Sequence, residues 1–128
     1  IYLVLGEPMP PHALAAVEQA EDDDALYASP VSAWEIGLLA KSGRGVTQLF
    51  LPDPRRFALD ALSRPTLRLA PLTPQIAYDS SVLPAPFHND PADRPLVETA
   101  RTLSVPILTR DRKILDYATL GHLQAIAC

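Results

Sequence analysis

The sequence contains almost no cysteine, since Cys128, its last residue, is the only one among 128 residues. A disulfide framework and an internal zinc site made of thiolates are therefore excluded, and we expect a cytoplasmic protein. No apolar run approaches the roughly 20 residues of a membrane span, and no secretory signal is visible. Basic charge is not in excess either: the net charge is −4 and the pI is near 5.2. A generally basic nucleic-acid-binding protein is excluded, whereas local basic patches are not.

The remaining composition is that of a globular protein. Hydrophobic residues make up 48% and charged residues 20% of the chain, and residues 1–128 are expected to form one domain without repeats or linkers. Periodicity and capping residues predict helices at 12–24, 30–41, 54–62, 74–83, 90–103 and 112–118, and strands at 26–28, 67–72, 105–109 and 123–127. The apolar residues 1–5 are interpreted as the tail of a further helix or strand. This alternation predicts an α/β fold, with helices on both faces of a central parallel sheet.

Three carboxylates lie at positions where the pattern predicts a core. Glu35 is the only charged residue between Asp24 and Lys41, and on a helix it shares the apolar stripe of its neighbours. Asp93 stands in the first turn of the predicted helix at 90–103, and Asp111 follows the strand at 105–109 by two residues. A carboxylate turned toward a core is costly unless it is hydrogen-bonded, paired or bound to a cation. Three such residues suggest a shared site.

The predicted sheet offers a place for that site. In open α/β sheets, ligand sites form beyond the carboxyl ends of the strands, and all three acidic residues are expected near that edge. Oxygen ligands without cysteine favour magnesium or manganese. A divalent ion held in this way activates water and neutralises charge on a phosphodiester as the bond is cleaved. The residues therefore indicate a metal-dependent nuclease or phosphotransferase.

Each acidic residue also has a structural alternative. Ser32 and Glu35 match a capping box, although a helix start at residues 29 and 30 would leave Glu35 in the second turn. Asp93 alternatively interacts with the helix dipole while Asp90 caps the helix, and Asp111 is alternatively the N-cap of the helix at 112–118. An aspartate can cap and ligate through different oxygens, so these interpretations are compatible with a metal site.

Basic residues flank the same segments and are candidates for contacts with a phosphate backbone. The candidates for substrate binding are His88, Arg94, Arg110, Arg112 and Lys113. Ion pairing at the surface is the alternative for the arginines and the lysine. Trp34 is expected in the core rather than as a platform for base stacking. Glu98 is expected in solvent, paired with arginines at helical spacing.

Four segments in this order and spacing resemble the PIN-domain ribonucleases, and the nearest branch is the VapC toxins of type II toxin–antitoxin pairs. The segments are SAWEIGLLAKSGR, LTPQIA, HNDPADRPLVETA and ILTRDRKILDYATLGHLQAIAC. The resemblance implies a three-layer PIN-like fold, hydrolysis of RNA, a homodimer and a cognate VapB antitoxin. It also implies a magnesium or manganese site, in which Glu35, Asp93 and Asp111 match the family's ligands and Asp90 matches an outer residue.

The sequence departs from the family pattern at its start. The family's first strand carries a further aspartate ligand, whereas IYLVLGEP resembles the helix after that strand, so we expect the strand before Ile1. A second departure places Pro95 and Glu98 where the family has apolar or small residues. The alternative function is a catalytically inactive PIN-like module that binds RNA or its antitoxin. A phosphatase or receiver domain would need an aspartate motif such as DxDxT, which is not visible.

Overall fold

A computed structural model describes residues 6–42 and 52–128. The prediction for residues 1–5 lies outside the described residues. Within this part the elements follow the chain as α1 (Pro11–Asp22), β1 (Tyr27–Ala28), α2 (Val31–Ser42), α3 (Pro54–Leu62), β2 (Arg68–Leu69), α4 (Pro74–Ser81), α5 (Asp93–Leu103), β3 (Ile107–Thr109), α6 (Arg112–Thr119) and β4 (Ala125–Ala127). None of these helices is both long and apolar enough to cross a bilayer.

Parallel strand pairs confirm the α/β class. Strand β1 pairs with β2 in parallel, with Tyr27 opposite Arg68, and β3 pairs with β4 in parallel, with Ile107 opposite Ala125. In the described residues these pairs form two sheets of two strands each. Each strand is shorter than its predicted segment but lies inside it. Parallel strands need long crossovers, and α2 and α3 separate β1 from β2 while α6 separates β3 from β4.

The chain divides into two compact units, and the first holds the described residues up to 9 and from 16 to 70. Its helix α2 begins where Ser29 Oγ accepts a hydrogen bond from the backbone N–H of Val31, at 3.2 Å. Ile36 packs against Ala58 of helix α3 in the core of this unit. The core position expected for Trp34 is wrong, because this residue is 48% exposed. Helical periodicity identifies an apolar face but does not say which part of it is covered.

The second unit holds residues 10–15 and 71–128. Its core consists of Leu83, Val97, Ile114 and Tyr117, contributed by the loop after α4 and by helices α5 and α6. The solvated position expected for Glu98 is wrong, since its side chain is only 12% exposed. Arg101 Nε donates to Glu98 Oε2 at 3.0 Å, and this pairing offsets the cost of burying the carboxylate.

Candidate metal centre

Asp93 and Asp111 lie at the N-termini of helices α5 and α6 in the second unit. Asp93 is the first residue of α5, and Asp90 Oδ1 accepts hydrogen bonds from the backbone N–H groups of Ala92, at 2.9 Å, and of Asp93, at 3.4 Å. Asp111 is the N-cap of α6, where its Oδ1 accepts from the backbone N–H of Lys113 at 2.7 Å. The alternative role of Asp111 as an N-cap is thus present. The N-cap role expected for Asp90 is wrong, because the N-cap of α5 is Ala92, without a side-chain capping bond, and Asp90 closes the turn just before the helix. The hydrogen bonds of both aspartates fix their carboxylates in place.

Burial and like charges act together on Asp93. Its side chain is 17% exposed. Burial is the largest influence and raises the pKa of Asp93, and the neighbouring carboxylates of Asp90 and Asp111 raise it further. His88 and Lys113 act in the opposite direction but do not cancel the rise in this pKa. A carboxylate with a raised pKa beside other carboxylates is an arrangement that a bound cation would stabilise.

His88 is the nearest basic group to Asp93. Its Nδ1 accepts a hydrogen bond from the backbone N–H of Asp90 at 3.3 Å, so the neutral ring carries its proton on Nε2. That Nε2 atom is buried and lies 3.4 Å from Asp93 Oδ2. Within the described part of the chain it has no hydrogen-bond partner. The imidazole is therefore held by its Nδ1 side with Nε2 directed at the carboxylate.

Arg94 has a structural role that was not predicted. Its guanidinium donates three hydrogen bonds to backbone carbonyls: Nε to Ser80 at 2.7 Å, one terminal nitrogen to Ser81 at 3.0 Å, and the other to His88 at 3.1 Å. Ser80 and Ser81 end helix α4, whose last carbonyls lack partners within the helix. Arg94 therefore forms a clamp that joins helix α4 to the loop of His88, while the substrate contact expected for it stays a prediction.

The remaining basic candidates differ in their surroundings. Arg110 Nε donates to the carbonyl of Cys128 at 3.0 Å. Arg112 is 87% exposed and pairs with Asp116, with 3.5 Å between Nε and Oδ1. Lys113 is exposed, and its charge lowers the pKa of Asp93. Of these three candidates, Lys113 has a charge that acts on the carboxylates.

Glu35 belongs to the first unit. It lies in the second turn of α2, because the helix begins at Val31, and this start supports a helix capped by Ser29 rather than a capping box. The residue is half-buried. Its convergence with Asp93 and Asp111 stays a prediction.

The donor set fits a magnesium or manganese ion. No group of three or more His, Cys, Asp or Glu side chains suited to a metal is found among residues 6–42 and 52–128. Magnesium, however, usually binds one or two carboxylates and fills its other positions with water and phosphate oxygens. Asp93 and Asp111 are carboxylates of this kind, and Asp111 is among the charges that raise the pKa of Asp93. Their role as metal ligands stays a prediction.

One contributor to this arrangement was missed in the sequence. Thr109 Oγ1 accepts a hydrogen bond from the backbone N–H of Asp111 at 3.0 Å, and so fixes the turn between β3 and α6. A threonine two residues before an aspartate at a strand end is a signal for such a turn. The Arg94 clamp had no comparable signal, because two of its three acceptors lie 13 and 14 residues earlier in the chain.

Comparison with known proteins agrees with this fold. The family model described as PIN domain matches residues 1–120, and the chain belongs to the PIN domain family. A relative in Mycobacterium tuberculosis (strain ATCC 25618 / H37Rv), named Ribonuclease VapC22, is 31% identical over 104 residues. The match covers 81% of this chain and 76% of that relative. The resemblance to the VapC branch is thereby confirmed. No solved structure matches the chain.

Proposed function

We propose that this chain is a magnesium- or manganese-dependent endoribonuclease and the toxin of a type II toxin–antitoxin system. The observation that carries the proposal is the partly buried Asp93 beside other carboxylates: burial, and then Asp90 and Asp111, raise its pKa. Membership in the PIN domain family and the likeness to a protein named as a ribonuclease support the same function. In this proposal Glu35, Asp93 and Asp111 hold the ion, and Asp90 supports them from the N-terminus of α5.

The chain's own residues perform the binding and positioning steps of this reaction. A bound divalent ion would supply activation of water and neutralisation of charge on the phosphodiester. Asp111 is held by the capping bond that its Oδ1 accepts. The other oxygen of this fixed carboxylate would bind the ion. Lys113 and Arg112, on the first turn of α6, hold phosphate oxygens of the RNA. His88, whose Nε2 lies 3.4 Å from Asp93 Oδ2, positions this carboxylate.

The partners follow from the family rather than from this chain's geometry. We propose a cognate VapB-type antitoxin that neutralises the toxin, a homodimer, and RNA in the cytoplasm as the substrate. Expression of the complete protein from an inducible promoter tests the toxin role. Growth is expected to stop, and to continue when the gene adjacent to it is expressed at the same time.

Cleavage of RNA by the purified complete protein tests the activity. Total RNA is incubated with and without Mg²⁺, and the ends of the fragments are mapped. The parent is expected to cut at defined positions only with the metal, and Asp93→Asn is expected to cut at least about a hundredfold more slowly with unchanged circular dichroism. Asp60→Asn is the matched control, since Asp60 is exposed and pairs with Arg56 at the surface of α3. RNA binding without cleavage would instead support the inactive module.

A further inference from the structure

An open groove lies beside the carboxylates in the second unit. It is formed between the loop after α4 and the C-terminal half of α6, and its volume is about 800 Å³. We call it the apolar groove and define it by Pro86, Phe87, Tyr117 and Leu120. Leu120 is 51% exposed, whereas Tyr117 is buried and its hydroxyl donates to the carbonyl of Pro84 at 2.9 Å. The groove therefore has a fixed floor and an accessible apolar wall.

The aromatic part of the groove is held rigidly from behind. The rings of Phe87 and Tyr117 lie with centroids 4.5 Å apart, and Phe87 packs against the core of the second unit. The Arg94 guanidinium carbon lies 6.0 Å from the centroid of Phe87 while its nitrogens are bonded to carbonyls. A platform that is already ordered loses little conformational entropy when a ligand binds.

Two residues line the apolar groove and also lie at the carboxylates. His88 lines the groove, and its Nε2 lies 3.4 Å from Asp93 Oδ2. Lys113 also lines the groove, and its backbone N–H donates to Asp111 Oδ1 at 2.7 Å. The groove is thus continuous with the carboxylates. A polymer with one phosphate bound at these carboxylates would reach the groove with the adjacent residue of the polymer.

We propose that the apolar groove binds one nucleobase of the RNA, in the nucleotide next to the phosphate that is cleaved. This subsite rests on the proposed function and deepens it, because it names the part of the RNA that would be held next to the cleaved bond. Lys113 would hold the backbone phosphate, and the base would pack on Phe87 and Leu120. Stacking of this kind contributes about tenfold in affinity per base and tolerates several bases.

The charges at the rim favour RNA over the apolar surface of another protein. Lys113 lines the groove, and the exposed Arg112 precedes it on the same helical turn. Asp116 also lines the groove, but it is paired with Arg112. A cationic rim around an apolar floor is complementary to a nucleotide, which combines an anionic phosphate with a flat base.

A double-mutant cycle between protein and RNA tests the subsite. The probe is a fluorescent single-stranded RNA of about ten nucleotides, centred on the bond mapped in the total-RNA digest, or of mixed sequence if no cleavage is found. Affinity is measured by anisotropy in Mg²⁺ on the Asp93→Asn background, and one nucleotide at a time is made abasic. Leu120→Ala is compared with Leu72→Ala, an equally exposed leucine outside the groove.

One abasic position is expected to weaken binding by about tenfold in the background protein and in Leu72→Ala. In Leu120→Ala the same position is expected to weaken binding by threefold or less, because the wall that the base contacts has been removed. An equal abasic effect in all three proteins would overturn the subsite. A change of oligomeric mass in Leu120→Ala, measured by light scattering, would overturn it in favour of an interface between copies.

The outcomes separate the subsite from the proposed function. If Leu120 and one base are coupled but the parent does not cut RNA, the result would support the subsite and reject the nuclease activity. Cleavage by the parent without any coupling would retain the activity and reject the subsite. Failure of the background protein to bind any of these RNAs would reject the subsite outright.

Discussion

Replacing Arg94 by alanine should destabilise the protein strongly, although the residue is only partly buried. The structure gives Arg94 three hydrogen bonds to the carbonyls of Ser80, Ser81 and His88. Hydrogen bonds to a charged group contribute about 1.5–3 kcal/mol each when well shielded, and nearer 1 kcal/mol when water can replace them. Since the bond to Ser81 is exposed and the other two are only partly buried, we expect each bond to contribute about 1 kcal/mol and the total loss to be about 3 kcal/mol. Arg94→Lys should lose about 2 kcal/mol, because a single ammonium group cannot reproduce the planar fork.

Urea unfolding followed by circular dichroism measures this loss. Arg112→Ala is the matched control on the neighbouring helix α6, because Arg112 is 87% exposed and pairs only across one turn. A surface pair of this kind contributes less than about 0.5 kcal/mol. If Arg94→Ala and Arg112→Ala unfolded within about 0.5 kcal/mol of each other, the clamp would not hold the loop of His88, and the structural role of Arg94 would be refuted.

Two further predictions concern the surroundings of Asp93. His88→Ala should weaken Mn²⁺ binding about tenfold, measured by calorimetry. His88→Gln should restore most of this affinity, because its side-chain amide N–H would lie near the position of Nε2. Equal Mn²⁺ affinities in the two variants would contradict the positioning role of His88. Burial, and then Asp90 and Asp111, raise the pKa of Asp93, so the folded metal-free protein holds this proton more tightly than the unfolded chain. The free energy of unfolding should therefore decrease as the pH rises through this pKa, and Asp93→Asn should reduce that decrease. If the urea midpoints of the parent and of Asp93→Asn changed equally with pH across the acidic range, the shift in the pKa of Asp93 would be contradicted.

Local signals in the sequence determined the elements of the fold well. Asp111 caps helix α6, as its alternative interpretation gave it, and Thr73 caps helix α4. Such caps follow from local sequence, because a capping side chain and its backbone donor lie within three residues. All four predicted strands are present in shortened form. The ends of a strand depend on its pairing partner. Strand β2 contains only Arg68 and Leu69, because these residues pair with the two residues of β1. The period of apolar residues specifies a strand but not its paired length.

Tertiary relations account for what the sequence did not predict. Trp34 was expected in the core but is half exposed, and Glu98 was expected in solvent but is mostly buried. Both differences arise because the part of a helix face that is covered depends on elements distant in the chain. The Arg94 clamp has the same origin, since the end of α4 lies beside it only after folding. Among the site residues, Asp111, whose capping role is local, was the most predictable. The convergence of Glu35 with Asp93 depends entirely on long-range folding and stays a prediction.

Calorimetric titration of Mn²⁺ into the complete protein tests the central claim most directly. The account predicts one ion for each chain, bound at least tenfold more weakly by Glu35→Gln and by Asp111→Asn, with Asp60→Asn equal to the parent. Parent-like affinity in Glu35→Gln would remove that residue from the site. Binding of no ion by the parent would contradict the proposal that these carboxylates form a metal centre.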